Sequence, residues 1–574
     1  MTNELAKASA NGVHIVAYRG EGNCLLAMDV DTTLRTNDFV GFSLEVKYPG
    51  GNKYYAVTNR LSFDYPPDQT GKRKFSSLDA PLQKFRWVHF PSEVRDGDFT
   101  YRVTPAYMDA ADKITHKPGV EVAVNLSPVS VPGLVNIGFT RGFVSSQAYV
   151  SRFKNNPKIL PPPLPPGTVG CAELPFDMTP FAAEYDWLGF EARRLIMQFL
   201  ADCAADNTIT VDFLAYELKE PMVLAQLEQL GVRLRAIIDD STDNRDPATC
   251  ESTGAARLQS SAGLGNVKRM HFGNLQHNKV LIARRNGKPF RVLAGSTNFS
   301  LRGIYIQANN LLEFTHEGVT GLYGQVFDAY WTNAVHFRTN PLAQGWHEVP
   351  VDADGAVALC FSPHSSAATS LTRVADAITS AQSSVLFAVA FLYQSSGPVR
   401  DALDAAVASQ LFTYGTSDSA GNLKLQKPDG THALVPFAYL DTHVPPPFQG
   451  EWSGGAGRHM HHKFVVCDFN GTNPVVFAGS SNLSPSGEEG NGDNLVMIAN
   501  RRVVTAYAIE AVRLFDHYEF RAFMHAVDQG TVVEPLRLKR PPAPGQPTWF
   551  ASACTPGTAK ARDRELFMRP IATP

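Results

Sequence analysis

Along the first quarter of the chain, apolar and polar residues alternate with a period of two. The runs Val13–Tyr18, Phe42–Tyr48, Phe85–Phe90, Phe99–Thr104 and Val120–Val124 each place their apolar side chains on one face. Gly, Pro and Asp punctuate them. Seven or eight short strands with no amphipathic helix between them predict an antiparallel β-sandwich over residues 1–145. A proline run, Pro161–Pro163 with Pro165 and Pro166, then reads as a stiff spacer laid between domains.

Beyond the spacer the period changes. Leu188, Ala192, Leu195 and Phe199 fall on one helical face, Ile209 to Leu218 reads as a strand, Pro221 to Leu230 as a helix and Val232 to Ile238 as a strand. The scheme then repeats. Leu371, Val374 and Ile378 line a helix, Val385 to Leu392 forms an apolar strand, and Pro398 to Ala408 is helical. Alternating strands and helices predict two α/β halves, 146–350 and 351–540, each with a largely parallel sheet covered by helices. The stretch 541–574 is a Pro-rich tail whose pattern does not say whether it docks.

Composition narrows the class. The 574 residues exceed what one core serves, and 44% hydrophobic with 19% charged residues is ordinary for a globular protein. The formal charge of −3 and the lack of Lys/Arg-rich runs argue against a basic nucleic-acid track. No apolar run approaches a membrane span, and the start has no signal-peptide pattern. Seven scattered cysteines without Cys-x-x-Cys spacing suggest reduced thiols and a cytoplasmic location, with signal-less secretion still compatible.

The chemistry lies in a repeat. His277, Lys279, Gly295, Ser296 and Asn298 recur as His461, Lys463, Gly479, Ser480 and Asn482, with 18 residues from His to Gly (295−277 and 479−461) and 21 from His to Asn in both copies. Asn310-Leu311-Leu312 and Asn494-Leu495-Val496 keep the offset of 184, and Phe327–Tyr330 matches Phe515–Tyr518 at 188. Apolar residues follow each His-Lys pair, so the pair is expected on a buried strand with both side chains on one face. Two lysines and two asparagines converging suit the oxygens of a phosphodiester, and imidazoles can serve as nucleophile and acid.

These motifs resemble the signature of the phospholipase D superfamily, His-x-Lys-x4-Asp with a trailing Gly-Ser-x-Asn, over roughly residues 150–540. The resemblance implies two halves about a pseudo-twofold axis sharing one metal-independent site, with one histidine forming a phosphohistidine and the other protonating the leaving alcohol. It implies no cofactor and, with both halves in one chain, a monomer. Tyr101–Pro105 also faintly resembles a fibronectin type III strand. The catalytic set is then His277, Lys279, Asn298, His461, Lys463 and Asn482, with Ser296, Ser480 and Asp468 in support. The first half departs from the signature, carrying Arg284 where the second has Asp468.

In related small endonucleases a carboxylate eleven residues past the motif Asn orients the histidine. That position is Asp493 in the second half and Asn309 in the first, with Glu313 a substitute carboxylate nearby. Asp493 is also readable as a turn or cap residue. If each half serves its own histidine, His461 pairs with Asp493 and His277 with Asn309. His277 would then be the nucleophile and His461 the acid. The run Arg458–His462 lacks further ligands at metal spacing, so no metal site is expected, and Cys467 reads as packing. A phospholipid or other small phosphodiester is the favoured substrate, with peripheral membrane contact compatible. A nuclease acting on DNA or RNA, and a catalytically dead binding scaffold, are the alternatives.

Overall fold

The structure is a computed structural model. It describes residues 4–569 apart from 65–73, 94, 143–145, 155, 166, 169, 352–354, 419–421, 428–430, 437–459 and 529–536. Two facing sheets form the N-terminal domain. The first has the strand order Leu5–Ala10, Val13–Arg19, Cys24–Val30, Arg86–His89, and the second Ile114–His116, Asp98–Met108, Phe39–Lys47, Tyr54–Ala56, with Val120–Asn125 also paired to Asp98–Met108. Alternation places Ile15, Leu26 and Met28 against Phe42, Tyr101 and Val103 in the sandwich core. The opposite face of the first sheet is equally apolar. Val16, Tyr18, Leu25 and Ala27 join the core of the catalytic body, so this sheet is covered on both sides.

The sandwich sheets take strands only from residues 5–125. Val135–Phe139, inside the expected 1–145 span, instead pairs antiparallel with Asn310–Phe314 in the first α/β sheet. That sheet runs Ser130–Val131, Val135–Phe139, Asn310–Phe314, Lys288–Gly295, Lys279–Arg285, Ile209–Ala215, Leu234–Ile238, Val267–Arg269. The second runs His347–Val349, Val357–Phe361, Asn494–Ile498, Val475–Gly479, Lys463–Cys467, Ser384–Val389, Phe412–Ser417, Leu434–Pro436. The two are equivalent strand by strand.

Neither sheet is largely parallel, as the alternation of elements had suggested. In each, only the last two pairings are parallel. The motif strands are hairpins: Lys279–Arg285 turns at Asn286–Gly287 into Lys288–Gly295, and such short connections permit only antiparallel neighbours.

The tail docks. Trp549 stacks on Phe85 with ring centres 5.3 Å apart, packs on Phe39, and donates from Nε1 to the Phe39 carbonyl at 2.8 Å. Phe550 and Ala553 belong to the sandwich core. The helix Ala559–Met568 follows, and the Phe567 carbonyl accepts a hydrogen bond from Tyr18 at 2.7 Å. Arg86 of the sandwich is buried between Asp516 of the second half and Asp563 of this helix, at 2.5 and 2.7 Å.

The expectation of seven reduced thiols fails for two of them. Cys171 and Cys250 form a disulfide across 79 residues, tying the segment after the proline run to the helix Cys250–Ala262. Scattered spacing carries no information about such a pair, because the fold and not the sequence brings it together. The thiol argument for a cytoplasmic location falls with it.

Candidate active site

The catalytic strands begin at Lys279 and Lys463, so each histidine lies just ahead of its strand. There the two halves join through their backbones. His277 N donates to the Gly492 carbonyl at 2.9 Å, and His461 N donates to the Ala308 carbonyl at 3.0 Å. Each histidine is therefore held against the other half's segment leading into Asn494 or Asn310. The side chains repeat this exchange. Asn494 Nδ2 donates to Asn278 at 2.8 Å, and Asn310 contacts His462 at 3.4 Å.

The histidine supports cross over in the same way. His277 Nδ1 lies 2.8 Å from Asp493, and His461 Nδ1 lies 3.0 Å from Asn309 Oδ1 and 3.1 Å from the Ser296 carbonyl. This corrects the within-half pairing expected from sequence and removes the ground on which that pairing made His277 the nucleophile. An offset of 184 identifies equivalent positions, but a twofold interface lets each position reach its counterpart's partner. Glu313 is not a substitute carboxylate either. It lies on Asn310–Phe314, bound to Arg291 at 2.5 Å and to Asn136 at 2.7 Å.

The Gly-Ser-x-Asn turns build the supports. A Cβ at Gly295 would lie 2.4 Å from the Asn310 carbonyl, and one at Gly479 2.3 Å from that of Asn494, so only glycine permits the approach. The following serines then reach across. Ser296 Oγ donates to Asn309 at 2.8 Å and Ser480 Oγ to Asp493 at 2.6 Å. Asn491 Nδ2 contacts the other Asp493 oxygen at 3.2 Å. Thr140 supports Asn309, accepting from its backbone N–H at 2.9 Å. Among the described residues the buried amide oxygens of Asn298 and Asn482 have no hydrogen-bond partner.

Burial sets the electrostatics. The His277 pKa is pushed down to about 4, chiefly by burial, with Lys279 and Lys463 acting in the same direction and Asp493 opposing. Lys463 thus acts electrostatically on the other half's histidine, and its Nζ lies 3.1 Å from His461 Nε2. Burial also lowers Lys279 to about 7, against Asp493, Glu217 and Asp239. For Asp493, burial pulls upward but His277 and Lys279 prevail, holding the carboxyl below its usual range.

Some residues invisible to motif spacing belong here. Tyr216 packs edge-on to His277 with ring centres 5.1 Å apart, and Phe391 to His461 at 6.4 Å. Tyr216 directly follows the strand Ile209–Ala215, and Phe391 lies two residues beyond the equivalent strand Ser384–Val389. Asp468 stays away from the chemistry and accepts from the backbone N–H groups of Gln382 and Ser383 at 2.9 and 2.6 Å. Arg284 fills the first half's position by pairing with Asp212 at 2.5 Å and Asp328 at 3.1 Å, so its departure from the signature alters packing and leaves the histidines untouched. Of the histidine run, His462 is buried against Glu510 at 3.2 Å, and Arg458 and His459 lie outside the described residues.

The family model described as "Cardiolipin synthase, PLD-like domain" matches residues 207–331 and 374–514. No curated protein matches the chain. Among solved structures, phosphatidylserine synthase of Haemophilus influenzae is similar at 13% identity and a TM-score of 0.40, over 57% of this chain and 85% of that one. Nuc, a phospholipase D family member from Salmonella typhimurium, is similar at 19% identity and a TM-score of 0.19, over 25% of this chain and 85% of its own. Yeast tyrosyl-DNA phosphodiesterase gives 10% and 0.30, over 53% and 87%. The matched segments lie one in each α/β half, so the chain carries two phospholipase D-like domains with an all-β domain in front.

Proposed function

We propose that this protein cleaves or transfers a phosphodiester by double displacement at the His277–His461 site, without metal or cofactor, and that a phospholipid or other small diester is its substrate. The observation that carries the mechanism is the buried Asp493 behind His277. With Nδ1–H held by the carboxylate, Nε2 presents its lone pair. Burial keeps the ring neutral at the start, as a nucleophile requires. Attack forms the P–N bond and breaks the P–O bond to the leaving alcohol, whose oxygen takes a proton from His461. The phosphorylated imidazole is cationic, and Asp493 compensates that charge. Water or a second alcohol then gives its proton to His461 and attacks phosphorus, breaking the P–N bond. Lys279, Lys463, Asn298 and Asn482 supply the charge and hydrogen bonds for the phosphoryl oxygens.

The disposition of basic side chains favours a lipid or small diester over nucleic acid. The basic residues Arg233 and Arg235, and the pair Lys268-Arg269, are consumed internally. Arg233 donates to the carbonyls of Cys203 and Ile209, Arg235 pairs with Asp212 and Asp328, Lys268 donates to the Trp331 carbonyl, and Arg269 to that of Asp239. They form no free track for a phosphate backbone. The family model's description points the same way. Among the described residues no helix is long and apolar enough to cross a membrane, so lipid would be met at a surface.

The test is an assay of the purified protein in EDTA on phosphatidylcholine and phosphatidylglycerol vesicles, bis(p-nitrophenyl) phosphate, and single- and double-stranded DNA. An added primary alcohol reports transfer, and acid-free quenching with mass spectrometry maps the phosphohistidine. Turnover of lipid or small diester with phosphate on His277 is expected. Cleavage of DNA alone, a requirement for a divalent ion, or phosphate on His461 alone would each overturn the corresponding part.

A further inference from the structure

A second cleft lies between the sandwich and the helix Ala182–Ala205, with a volume of about 810 Å³, within the ordinary range for a small-molecule site. Arg141 lines it and is only 2% exposed. Its guanidinium sits 4.5 Å from the ring centres of Phe90, Trp187 and Phe190, and among the described residues its Nε has no hydrogen-bond partner. Aromatic faces offset part of the desolvation of a buried cation, but they do not use its donors.

The acidic residues in the cleft are committed elsewhere. Asp186 pairs with Arg193 at 2.5 Å, Glu191 pairs with Arg194, and Glu93 pairs with Arg95 at 2.6 Å. Arg141 makes no ion pair among the described residues. Among the described residues the exposed Arg152, also lining the cleft, donates only to the neutral Ser92 carbonyl at 3.2 Å. The Arg141 pKa is pushed down to about 9 by burial and by the like charges of Arg513 and Arg152, so its surroundings favour an incoming anion. Two uncompensated guanidinium groups match the double negative charge of a phosphomonoester, which they can grip through paired donors.

We propose that this cleft binds a phosphomonoester, its phosphate against Arg141 and Arg152 and its organic part along Trp187 and Phe190. The same headgroup chemistry occurs on a soluble phosphomonoester and on a phosphatidate in a membrane surface.

Calorimetric titration with phenyl phosphate tests it in the full chain carrying Lys463→Met, so that binding at the diester site is suppressed. Saturable binding is expected, weakened at least tenfold by adding Arg141→Met and several-fold by Arg152→Gln. Competition by phosphatidate vesicles, but not by phosphatidylcholine vesicles, assigns the lipid source. Binding that such vesicles leave unchanged assigns the soluble one. No binding in the Lys463→Met chain, or unchanged affinity with Arg141→Met, overturns the proposal. If circular dichroism shows that Arg141→Met does not fold, Arg152→Gln decides, and unchanged affinity there overturns it.

Discussion

His277 and Asp493 sit in opposite halves of the chain and meet at 2.8 Å, whereas the equivalent contact of His461 is with the uncharged Asn309 at 3.0 Å. The pseudo-twofold site is thus electrically one-sided. Asp493→Asn leaves the hydrogen bond but removes compensation for a cationic phosphohistidine, and should lower kcat/KM by roughly 10²–10⁴-fold. Adding Asn309→Asp moves a carboxylate to the His461 side and should not restore the rate. A rescued double variant would show that the site needs one carboxylate on either side, contrary to the assigned roles.

Lys279 should set an alkaline limit to activity. Its pKa is lowered to about 7, so the ammonium is fully present below that pH and is lost as pH rises through it. In the free protein, kcat/KM should therefore fall above about pH 7, since phosphate binding uses that charge. Lys279→Arg keeps a charge at all working pH values and should flatten this limb while lowering the absolute rate. A limb unchanged in Lys279→Arg would assign it to another group.

The Cys171–Cys250 disulfide should stabilise the first α/β half. Closing a loop of 79 residues restricts the unfolded chain. Its removal by Cys171→Ser with Cys250→Ser, or by reductant, should cost about 2–5 kcal/mol and lower Tm. Peptide mapping without reductant should recover the linked pair. An unchanged Tm with and without reductant in the wild type would contradict the linkage.

The six motif residues and the division into sandwich and two halves are legible in the sequence because local rules govern them. Period-two alternation marks strands such as Val13–Arg19, and the helix Pro221–Leu230 appears with its expected bounds. What could not be read depends on where separate elements meet. The crossing of His277 to Asp493, the dismissal of Glu313 to Arg291, the antiparallel course of the motif hairpins and the Cys171–Cys250 link are all products of packing. Tyr216 and Phe391 were hidden for the same reason, since each meets its histidine only where the strand ends pack together.

The docking of Trp549 and Phe550 into the sandwich has a consequence for biosynthesis. The N-terminal strands leave the ribosome first, yet the aromatic groups that complete their core are translated only after both α/β halves. Until then Phe39, Phe42 and Phe85 lack their covering rings, and the sandwich, made before both α/β halves, is finished after them. Vectorial synthesis therefore leaves the sandwich core open on one side until the C-terminal segment has been made.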